Sequence, residues 1–443
     1  MFHFHEGRRS AAADLAIPMG PGNMRHGRPL PSPPPPTTSV AAQTPEAQSN
    51  TSQRLVAAAG FLVAQEGIAA ASARAIAAQA DTSASAIHYN FGNLERLLHV
   101  VVEQGVEDTG AWLVDRESEI AALPPSPDGA AWALLHVLGA WTSAARPLAL
   151  TYQEAVTAWP GQGPSAAWTR LWRDFWIRTA QRFELSALDG RVLHAFFEHE
   201  ALYHLSRWST ALEGAALVEM VERLATICLG APTRPPRGAV ATAERAAGAR
   251  PHGSVPPSAM RIAKAAGEVV EEKGLAGLTH RAVAKHAGVT TGSVTHHFRS
   301  IEDLVAGAIR GQVQAMTEEA APQAAINEIA TPDALFAALR FHVTADAPSS
   351  AVVRRRRLFL AALRRPELAA AGAVIRFSYG GTLRDSLGRT FALSDADLLG
   401  NASVLARLLA SIWFACAGDD DPVSSRTILF DRIEANVRTC LRP

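Results

Sequence analysis

Short polar side chains cluster at residues 290–299 of this sequence, which read TTGSVTHHFR. Threonine, serine and histidine donate and accept hydrogen bonds at close range, which suits them to base edges and phosphate oxygens. No aspartate or glutamate occurs in residues 280–300, whereas Arg281, Lys285 and Arg299 surround the cluster with positive charge. The chemistry that this segment predicts is hydrogen bonding to a polyanion, with double-stranded DNA as the partner.

Three helices are predicted to position this cluster. Residues 261–273 form an amphipathic helix that stops at Gly274. Thr279 is a good N-cap for the short helix HRAVAKHA, and Gly288 then supplies a tight turn. Thr290 caps the next short helix, TGSVTHHF. Two short helices joined by a glycine-containing turn predict a helix-turn-helix, whose second helix fits a major groove about 12 Å wide.

The same segment occurs twice in the chain. A shift of 207 residues superimposes residues 54–98 on residues 261–305 without a gap, and 14 of the 45 positions are identical. We call residues 54–98 copy one and residues 261–305 copy two. Each copy precedes a long helical stretch, which indicates a duplicated structural unit.

Each copy supplies a set of candidate DNA-binding residues, made up of helix caps, basic side chains and the exposed face of its second short helix. In copy one the candidates are Ser72, Arg74, Ser83, Ala84, Ser85, His88, Tyr89 and Asn90. In copy two they are Thr279, Arg281, Lys285, Thr290, Thr291, Ser293, Thr295, His296, His297 and Arg299.

Both copies contain a run of one form, ADTSASAIHYNF at residues 80–91 and AGVTTGSVTHHF at residues 287–298. This run resembles the form AGVSxGxxYxHF of the tetracycline-repressor (TetR) family of bacterial transcription regulators. Further matching residues are Gly67, Gly274, Ser72, Thr279, Glu95, Leu97, Glu302 and Leu304. The resemblance implies a sequence-specific DNA-binding regulator, acting as a repressor that a small-molecule effector releases from DNA.

Copy one departs further from the family form than copy two. Asp81 and Ser85 stand where copy two has Gly288 and Gly292. The aromatic residue of the family form, the tyrosine in AGVSxGxxYxHF, is replaced in both copies. Its position is His88 in copy one and Thr295 in copy two. We therefore expect copy one to grip phosphates more weakly and copy two to supply most of the affinity for DNA.

The predicted fold class is all-α, with two tandem TetR-like units, because helical periodicity dominates and no long alternating stretch favours a sheet. Two stretches rich in proline and glycine mark a tail and a linker. The predicted organisation is a disordered tail at 1–48, a DNA-binding domain at 49–98, a helical effector and dimerisation domain at 99–230, a linker at 231–257, a second DNA-binding domain at 258–305 and a second effector and dimerisation domain at 306–443. We call residues 49–230 the first half and residues 258–443 the second half.

In the family, the last two helices of each unit pack against a partner as a four-helix bundle. The matching stretches here are residues 189–208 with 213–229, and residues 395–417 with 423–441. From the resemblance we predict an intramolecular pseudo-dimer within one chain. The linker is long enough, since a flexible coil of that length spans about 30 Å on average.

Eight of the nine tryptophans lie between Trp112 and Trp208. A stripe of this kind is more often core than ligand site, but its concentration in the first half places any apolar effector pocket there. The effector-pocket candidates are Trp112, Trp132, Trp141, Trp172 and Trp176. Glu200 and His204 lie one helical turn apart, but no further ligand set accompanies them, so no metal site is predicted. The run Arg354–Arg357 predicts a solvated or carboxylate-pairing surface rather than one compact site.

Composition and charge exclude several classes. The net charge is zero, yet residues 50–230 carry 12 basic against 19 acidic residues, whereas residues 258–443 carry 22 against 19. Three cysteines are too few for a disulfide framework, and no apolar run reaches the roughly 18 residues of a membrane span. No phosphate loop or nucleophile elbow is present, so neither an enzyme nor a cofactor is expected. A cytoplasmic, nucleoid-associated regulator is predicted, and the alternative is a helical protein-interaction scaffold with degenerate DNA-binding modules.

Overall fold

A computed structural model describes residues 45–248, 256–273, 277–301, 303–309, 311, 331–345 and 350–441. All regular elements in these residues are helices, which confirms the all-α prediction. The helices of the first half are α1 (Pro45–Glu66), α2 (Ala73–Gln79), α3 (Ala84–Phe91), α4 (Leu94–Ile120), α5 (Pro127–Ser143), α6 (Arg146–Ala158), α7 (Gly163–Arg182), α8 (Ala187–Tyr203) and α9 (Thr210–Leu229).

The connecting helix α10 (Ala239–Ala246) precedes the second half. The helices described there are α11 (Pro257–Lys273), α12 (His280–Ala287), α13 (Thr291–His297), α14 (Pro332–Thr344), α15 (Ser350–Leu363), α16 (Ala369–Phe377), α17 (Gly381–Thr390), α18 (Asp395–Ala415) and α19 (Pro422–Cys440). Gly274 and Glu302, two residues of the family resemblance, lie outside the described residues.

Side chains that satisfy free backbone N–H groups set the starts of these helices. Asn93 accepts a hydrogen bond from the N–H of Arg96 and begins α4. Ser186 and Asp189 form a reciprocal capping box at the start of α8. Ser394 caps α18 in the same way that Ser186 caps α8, by accepting from the N–H three residues on. The local sequence therefore starts equivalent helices in the two halves.

The ends of the predicted domains differ from the structure at two places. Helix α1 begins at Pro45, so the last residues of the predicted tail are helical, and residues 1–44 lie outside the described residues. Within the predicted linker, α10 packs on α9 and buries Val240 and Ala243. Glu219 caps this helix by accepting hydrogen bonds from three backbone N–H groups, including that of Val240 at 2.9 Å. The composition of the linker predicts no regular structure, but residues 239–246 form a helix because they carry an apolar face. Residues 249–255 lie outside the described part.

The core of the first half is built around α7. Trp168, Trp172 and Trp176 are fully buried along one face of this helix. Gly105 of α4 allows close approach, because a Cβ atom there would lie 2.3 Å from the ring of Trp168. In the second half the corresponding segment is broken into α16 and α17 at Gly380, whose φ of +96° favours glycine.

The last two helices of the first half contact the last two of the second half. Helix α8 packs against α18, and α9 packs against both α18 and α19. Ser411 donates a hydrogen bond to the carbonyl of Ala195 at 2.5 Å, and Asn436 donates to the carbonyl of Cys228 at 2.6 Å. Helix α18 is the one described helix long and apolar enough to span a membrane, and it is largely buried as a core helix here.

Candidate nucleic-acid interface

Each copy folds into three helices in which the second and third make a helix-turn-helix. In copy two, Thr279 caps α12 by accepting from the N–H of Ala282 at 3.1 Å. Thr290 caps α13 by accepting from the N–H of Ser293 at 3.2 Å. Val294 and Phe298 are buried beneath α13, so the opposite face of that helix is held toward solvent. The predicted helix-turn-helix is present with the predicted caps.

Copy one has the same arrangement with one cap altered. Ser72 caps α2 by accepting from the N–H of Ala75 at 3.2 Å. Ser83 precedes α3, but its side chain contacts the Ser85 hydroxyl at 2.7 Å and makes no capping bond. Ile87 is the buried residue of α3 and fixes the orientation of the helix.

The exposed face of α13 retains hydrogen-bonding groups that a duplex can use. Thr291, Thr295 and His296 are exposed, and Ser293 is half-buried. The Thr295 hydroxyl donates to the carbonyl of Thr291 at 3.0 Å, which leaves its lone pairs available to a donor. His297 is half-buried, and its Nε2 lies 3.2 Å from the Ser258 hydroxyl.

The face of α3 has fewer groups to offer. His88 contacts the carbonyl of Gly92 through Nδ1, and Asn90 donates to the carbonyl of Ala86 at 2.7 Å. Ala84 is apolar, and Tyr89 is 68% exposed. Two polar side chains of this face therefore bond to the backbone of their own segment.

The basic residues also differ between the copies. Arg281, Lys285 and Arg299 of copy two are exposed, and so is Arg74 of copy one. Arg54 donates to the carbonyl of Asp81 at 2.7 Å and to that of Ala80, and so supports the turn before α3. Sequence reasoning missed this role of Arg54, although its identity with the equivalent arginine of copy two was a signal. His280 was also missed: its Nε2 lies 2.8 Å from the carbonyl of Phe298 and ties the two short helices together.

The tryptophans proposed for an effector pocket form a packed cluster. The rings of Trp112, Trp141 and Trp172 lie within 4.9–6.1 Å of one another, measured between centroids. Trp172 also contacts Phe197 at 4.1 Å between centroids, and Trp176 follows at 5.4 Å from the same ring. Trp132 does not join them, since it is 47% exposed on the surface of α5.

Several polar atoms within this cluster have no protein partner. The indole N–H groups of Trp141, Trp172 and Trp176 are buried and make no hydrogen bond in the described structure. The Trp168 indole, in contrast, donates to the Thr109 hydroxyl at 2.9 Å. Unpaired buried donors are costly, so each of these three groups would be stabilised by a hydrogen-bond acceptor placed beside it.

Glu200 and His204 are committed to arginine rather than to a metal ion. Glu200 accepts from Arg376 and from Arg407, each at 2.7 Å, and His204 lies 3.0 Å from Arg376. No cluster of potential metal ligands occurs among the described residues. The arginine run is divided as well: Arg356 is buried, whereas Arg357 is exposed, as their spacing on a helix predicts.

Comparison with known proteins bears on these two units. The family model described as bacterial regulatory proteins, tetR family, matches residues 55–101 and 262–308. A solved TetR family member from Streptomyces coelicolor A3 is 30% identical over 40% of this chain and 98% of its own, with a TM-score of 0.27. The multidrug binding protein EbrR, solved with malachite green, is 30% identical over the same shares, with a TM-score of 0.26. No curated protein matches the chain significantly.

Both family matches fall on the helix-turn-helix units described above, and each spans the first three helices of its unit and the start of the next segment. The sequence resemblance is thereby confirmed for both copies. The chain belongs to the TetR family of DNA-binding transcription regulators and carries that family's DNA-binding unit twice.

Proposed function

We propose that a single chain acts as an intramolecular pseudo-dimer that reads an asymmetric operator. A two-fold symmetric helix-turn-helix dimer presents identical reading helices and binds palindromic sites. Here the two reading helices differ at nearly every exposed position, so each contacts different base edges. The preferred site is two unlike half-sites about one helical turn apart, bound by one chain.

The packing between the halves supports the pairing. Helices α8 and α9 lie against α18 and α19, the arrangement expected of a dimerisation bundle. Helix α10 contacts both α9 of the first half and α16 and α18 of the second. Helix α10 therefore joins the two halves and also contributes to the contact between them.

The single observation that carries the DNA-binding assignment is the exposed face of α13. It combines the exposed side chains of Thr291, Thr295 and His296 with Arg281, Lys285 and Arg299 nearby, and residues 280–300 contain no acidic residue. We assign most of the affinity to copy two on this ground. Copy one adds sequence preference through Tyr89, Ser85 and Arg74.

We further propose that the first half takes up an apolar or aromatic effector that carries hydrogen-bond acceptors. The unpaired indole N–H groups of Trp141, Trp172 and Trp176 supply donors among aromatic rings, and such a ligand would satisfy them. Binding would open the packed cluster. Loss of DNA affinity then requires that the effector prefer a state in which the reading helices are moved.

Helix α15 of the second half gives this cluster a route to both copies. Tyr152 touches Trp141, Trp168 and Trp172 and donates a hydrogen bond to Glu198 at 2.6 Å. Glu198 in turn accepts from Arg356 of α15 at 2.8 Å.

The two ends of that route lie at the DNA-binding units. Arg364, which follows α15, donates to the carbonyl of Val63 in α1 at 3.1 Å and pairs with Glu154 of α6 at 2.8 Å. Leu358 and Phe359 of the same helix belong to the core that includes copy two. A displacement of α15 would therefore reach both reading helices.

Selection of binding sites from random DNA, followed by footprinting and by mass measurement of the complex, tests the operator. We expect two unlike half-sites and one chain per site. Recovery of a strict palindrome bound by two chains would overturn the pseudo-dimer. A mobility-shift assay with fragments of the protein's own upstream region tests the repressor assignment, and failure to bind any DNA would favour the protein-interaction scaffold.

A further inference from the structure

The contact between the halves has a cluster of buried charged side chains at its centre. The negative side chains of this cluster belong to the first half, and the positive ones belong to the second half. Three carboxylates come from the first half and three guanidinium groups from the second. Their side chains are at most 4% exposed. The residues are Glu198, Glu200 and Glu213, with Arg356, Arg376 and Arg407.

Each charge is neutralised across the interface. Glu200 accepts one hydrogen bond from Arg376 and one from Arg407, through different carboxylate oxygens. Glu213 lies 3.3 Å from Arg376, and Glu198 lies 2.8 Å from Arg356. A buried charge that loses its partner is strongly unfavourable. Each half therefore needs side chains of opposite charge on the surface that packs against it.

Helix caps show which residues are equivalent in the two halves. Ser186 and Ser394 cap α8 and α18, which fixes an offset of 208 residues along these helices. At that offset Glu200 corresponds to Leu408, and Arg407 corresponds to His199.

The other charges also have no equivalent charge in the opposite half. Glu198 corresponds to Ala406 at the offset of α8 and α18. The N-caps Ser209 and Asp421 align Glu213 with Ser425. The residues that end α7 and α17, Phe183 and Phe391, align Arg376 with Trp168. None of these three charges recurs at its equivalent position in the other half.

Pairing of like halves would therefore leave these charges uncompensated. Two first halves would bury Glu200 opposite His199 and Trp168, with no arginine available. Two second halves would bury Arg407 opposite Leu408, with no carboxylate. The peripheral pairs have mixed polarity: Arg191 of the first half pairs with Asp419, whereas Asp189 of the first half pairs with Arg432, so a uniform polarity occurs only at the buried centre.

We propose that this cluster is a sorting device: the bundle surface of the first half accepts the second half and rejects another copy of itself. The inference rests on the proposed pairing of the halves and specifies its partner chemistry. The surface that fits Glu198, Glu200 and Glu213 is an apolar helical surface that carries three buried guanidinium groups, one each from α15, α16 and α18. The duplicated chain thereby avoids the symmetric dimers that two similar units would otherwise form.

The test uses the full chain with a protease recognition sequence inserted between Gly248 and Pro256. The purified protein is cut, unfolded and refolded in urea with both fragments present, and its pairings are counted by native mass spectrometry. Unlike pairs should exceed like pairs by at least about tenfold, because each like pair buries unpaired charge. Like pairs at the statistical frequency would overturn the sorting proposal.

A variant removes four of the six charges and leaves Glu198 paired with Arg356. It combines Glu200→Leu, Arg376→Met, Arg407→Met and Glu213→Gln. Apolar replacement of a whole buried ion cluster commonly preserves folding. In this variant the excess of unlike over like pairs should fall at least about fivefold, and an unchanged ratio would overturn the proposal.

Urea unfolding of the uncut chain gives a second readout that does not depend on refolding of the fragments. Glu200→Gln should lower the unfolding midpoint, and adding Arg407→Met should restore most of the loss, because Arg376 keeps Glu213 as its partner. Glu117→Gln is the matched control, since Glu117 forms an exposed pair with Arg178 and should change little. Additive losses in the combined variant would contradict the sorting cluster.

Failure of the pseudo-dimer itself gives a different result. In that case the uncut wild-type chain binds its operator as two chains, whatever the cut fragments do. A wild-type chain that binds alone but whose fragments pair without preference would retain the proposed function and refute only the sorting.

Discussion

Asp81 and Gly288 occupy the same left-handed position in the turns of the two helix-turn-helix units, with φ of 49° and 65°. Both residues follow the first short helix of the motif, and the 207-residue shift aligns them. Glycine adopts this conformation freely, whereas aspartate tolerates it better than most residues with a Cβ atom but less well than glycine. The turn geometry is thus retained in copy one without the residue best suited to it, and Arg54 supports the turn carbonyls there.

Asp81→Gly should stabilise copy one. Relief of the left-handed strain, less the extra backbone entropy that glycine loses on folding, should raise the free energy of unfolding by up to about 1 kcal/mol. Removal of the ion pair with Arg54 costs little, because the Asp81 side chain is fully exposed. Urea denaturation of the full chain measures the gain, and Gly288→Ala is the matched control with the opposite sign. Loss of stability in Asp81→Gly would show that the aspartate holds the turn through its side chain.

Replacing Arg281, Lys285 and Arg299 with alanine should weaken DNA binding across all sequences. For each phosphate that is no longer neutralised, the slope of log affinity against log salt should become shallower by about 0.9. The matched set in copy one is Arg54, Arg74 and Arg96, whose replacement should change the slope less. Arg54 is committed to the turn, and Arg96 pairs with Glu103 at 3.1 Å. A larger change of slope from the copy-one set would assign the main phosphate grip to copy one.

The sequence predicted the helix-turn-helix units well because their signals are local. Caps such as Thr279 and Thr290, and turn residues such as Gly288, act within a few positions of where they stand. The fold class followed from periodicity for the same reason. The role of Arg54 depends on a hydrogen bond to a residue 27 positions away, which periodicity does not encode.

The contact between the halves was predicted only as a pairing of helices. The partners of Glu200 lie 176 and 207 residues away, so the residues near it in the sequence give no indication of them. Buried arginines such as Arg376 and Arg407 resemble surface residues in a sequence, because burial of a charge depends on a partner from another segment. Packing of α10 was missed for a related reason, since its apolar face is only two residues wide.

Effector binding should depend on the tryptophans of the packed cluster. Trp172→Phe should reduce effector affinity at least about tenfold, because it removes both an aromatic contact and an unpaired donor. Trp132→Phe is the control, since Trp132 lies on the surface. Titration of aromatic candidates, followed by tryptophan emission and by release of labelled DNA, measures both steps. Equal loss in the two variants, or saturation without DNA release, would contradict the assignment.

Cys228 and Cys440 should cross-link within one chain under diamide, which takes up the two electrons and two protons released by the thiols. The helix caps make these residues equivalent, and the Cys440 Sγ lies 3.4 Å from the carbonyl of Thr226, close to Cys228. Burial raises the pKa of both thiols, so the reaction should be slow at neutral pH and faster in alkali.

The expected product of that reaction is a faster-migrating single chain on a non-reducing gel. Cys440→Ser should abolish it and serves as the control. Cys416 does not substitute, because it is buried beside Arg191 at 3.4 Å. A covalent dimer of two chains as the main product would contradict pairing of the halves within one molecule.

The folded chain should lose stability in mild acid because two buried histidines, His194 and His199, and the half-buried His204 lie between or near the halves. Burial lowers the pKa of His194 to about 3, of His199 to about 4 and of His204 to about 3. In the unfolded chain these groups titrate near pH 6.5. Between about pH 6.5 and pH 4 the unfolded state therefore binds more protons, and the free energy of unfolding falls as the pH falls.

The slope of that loss identifies the residues. Each fully shifted histidine contributes up to about 1.4 kcal/mol per pH unit within this window. His194→Leu should remove one such contribution, because His194 has no partner for its Nε2 within the described structure and lies near Arg191, Asp419 and Arg173. His136→Gln is the control, since His136 is exposed beside Glu119. The difference between the urea midpoints at pH 7.5 and at pH 5 should be smaller in His194→Leu than in the wild type. An equal difference in the two proteins would show that His194 is protonated in the folded chain.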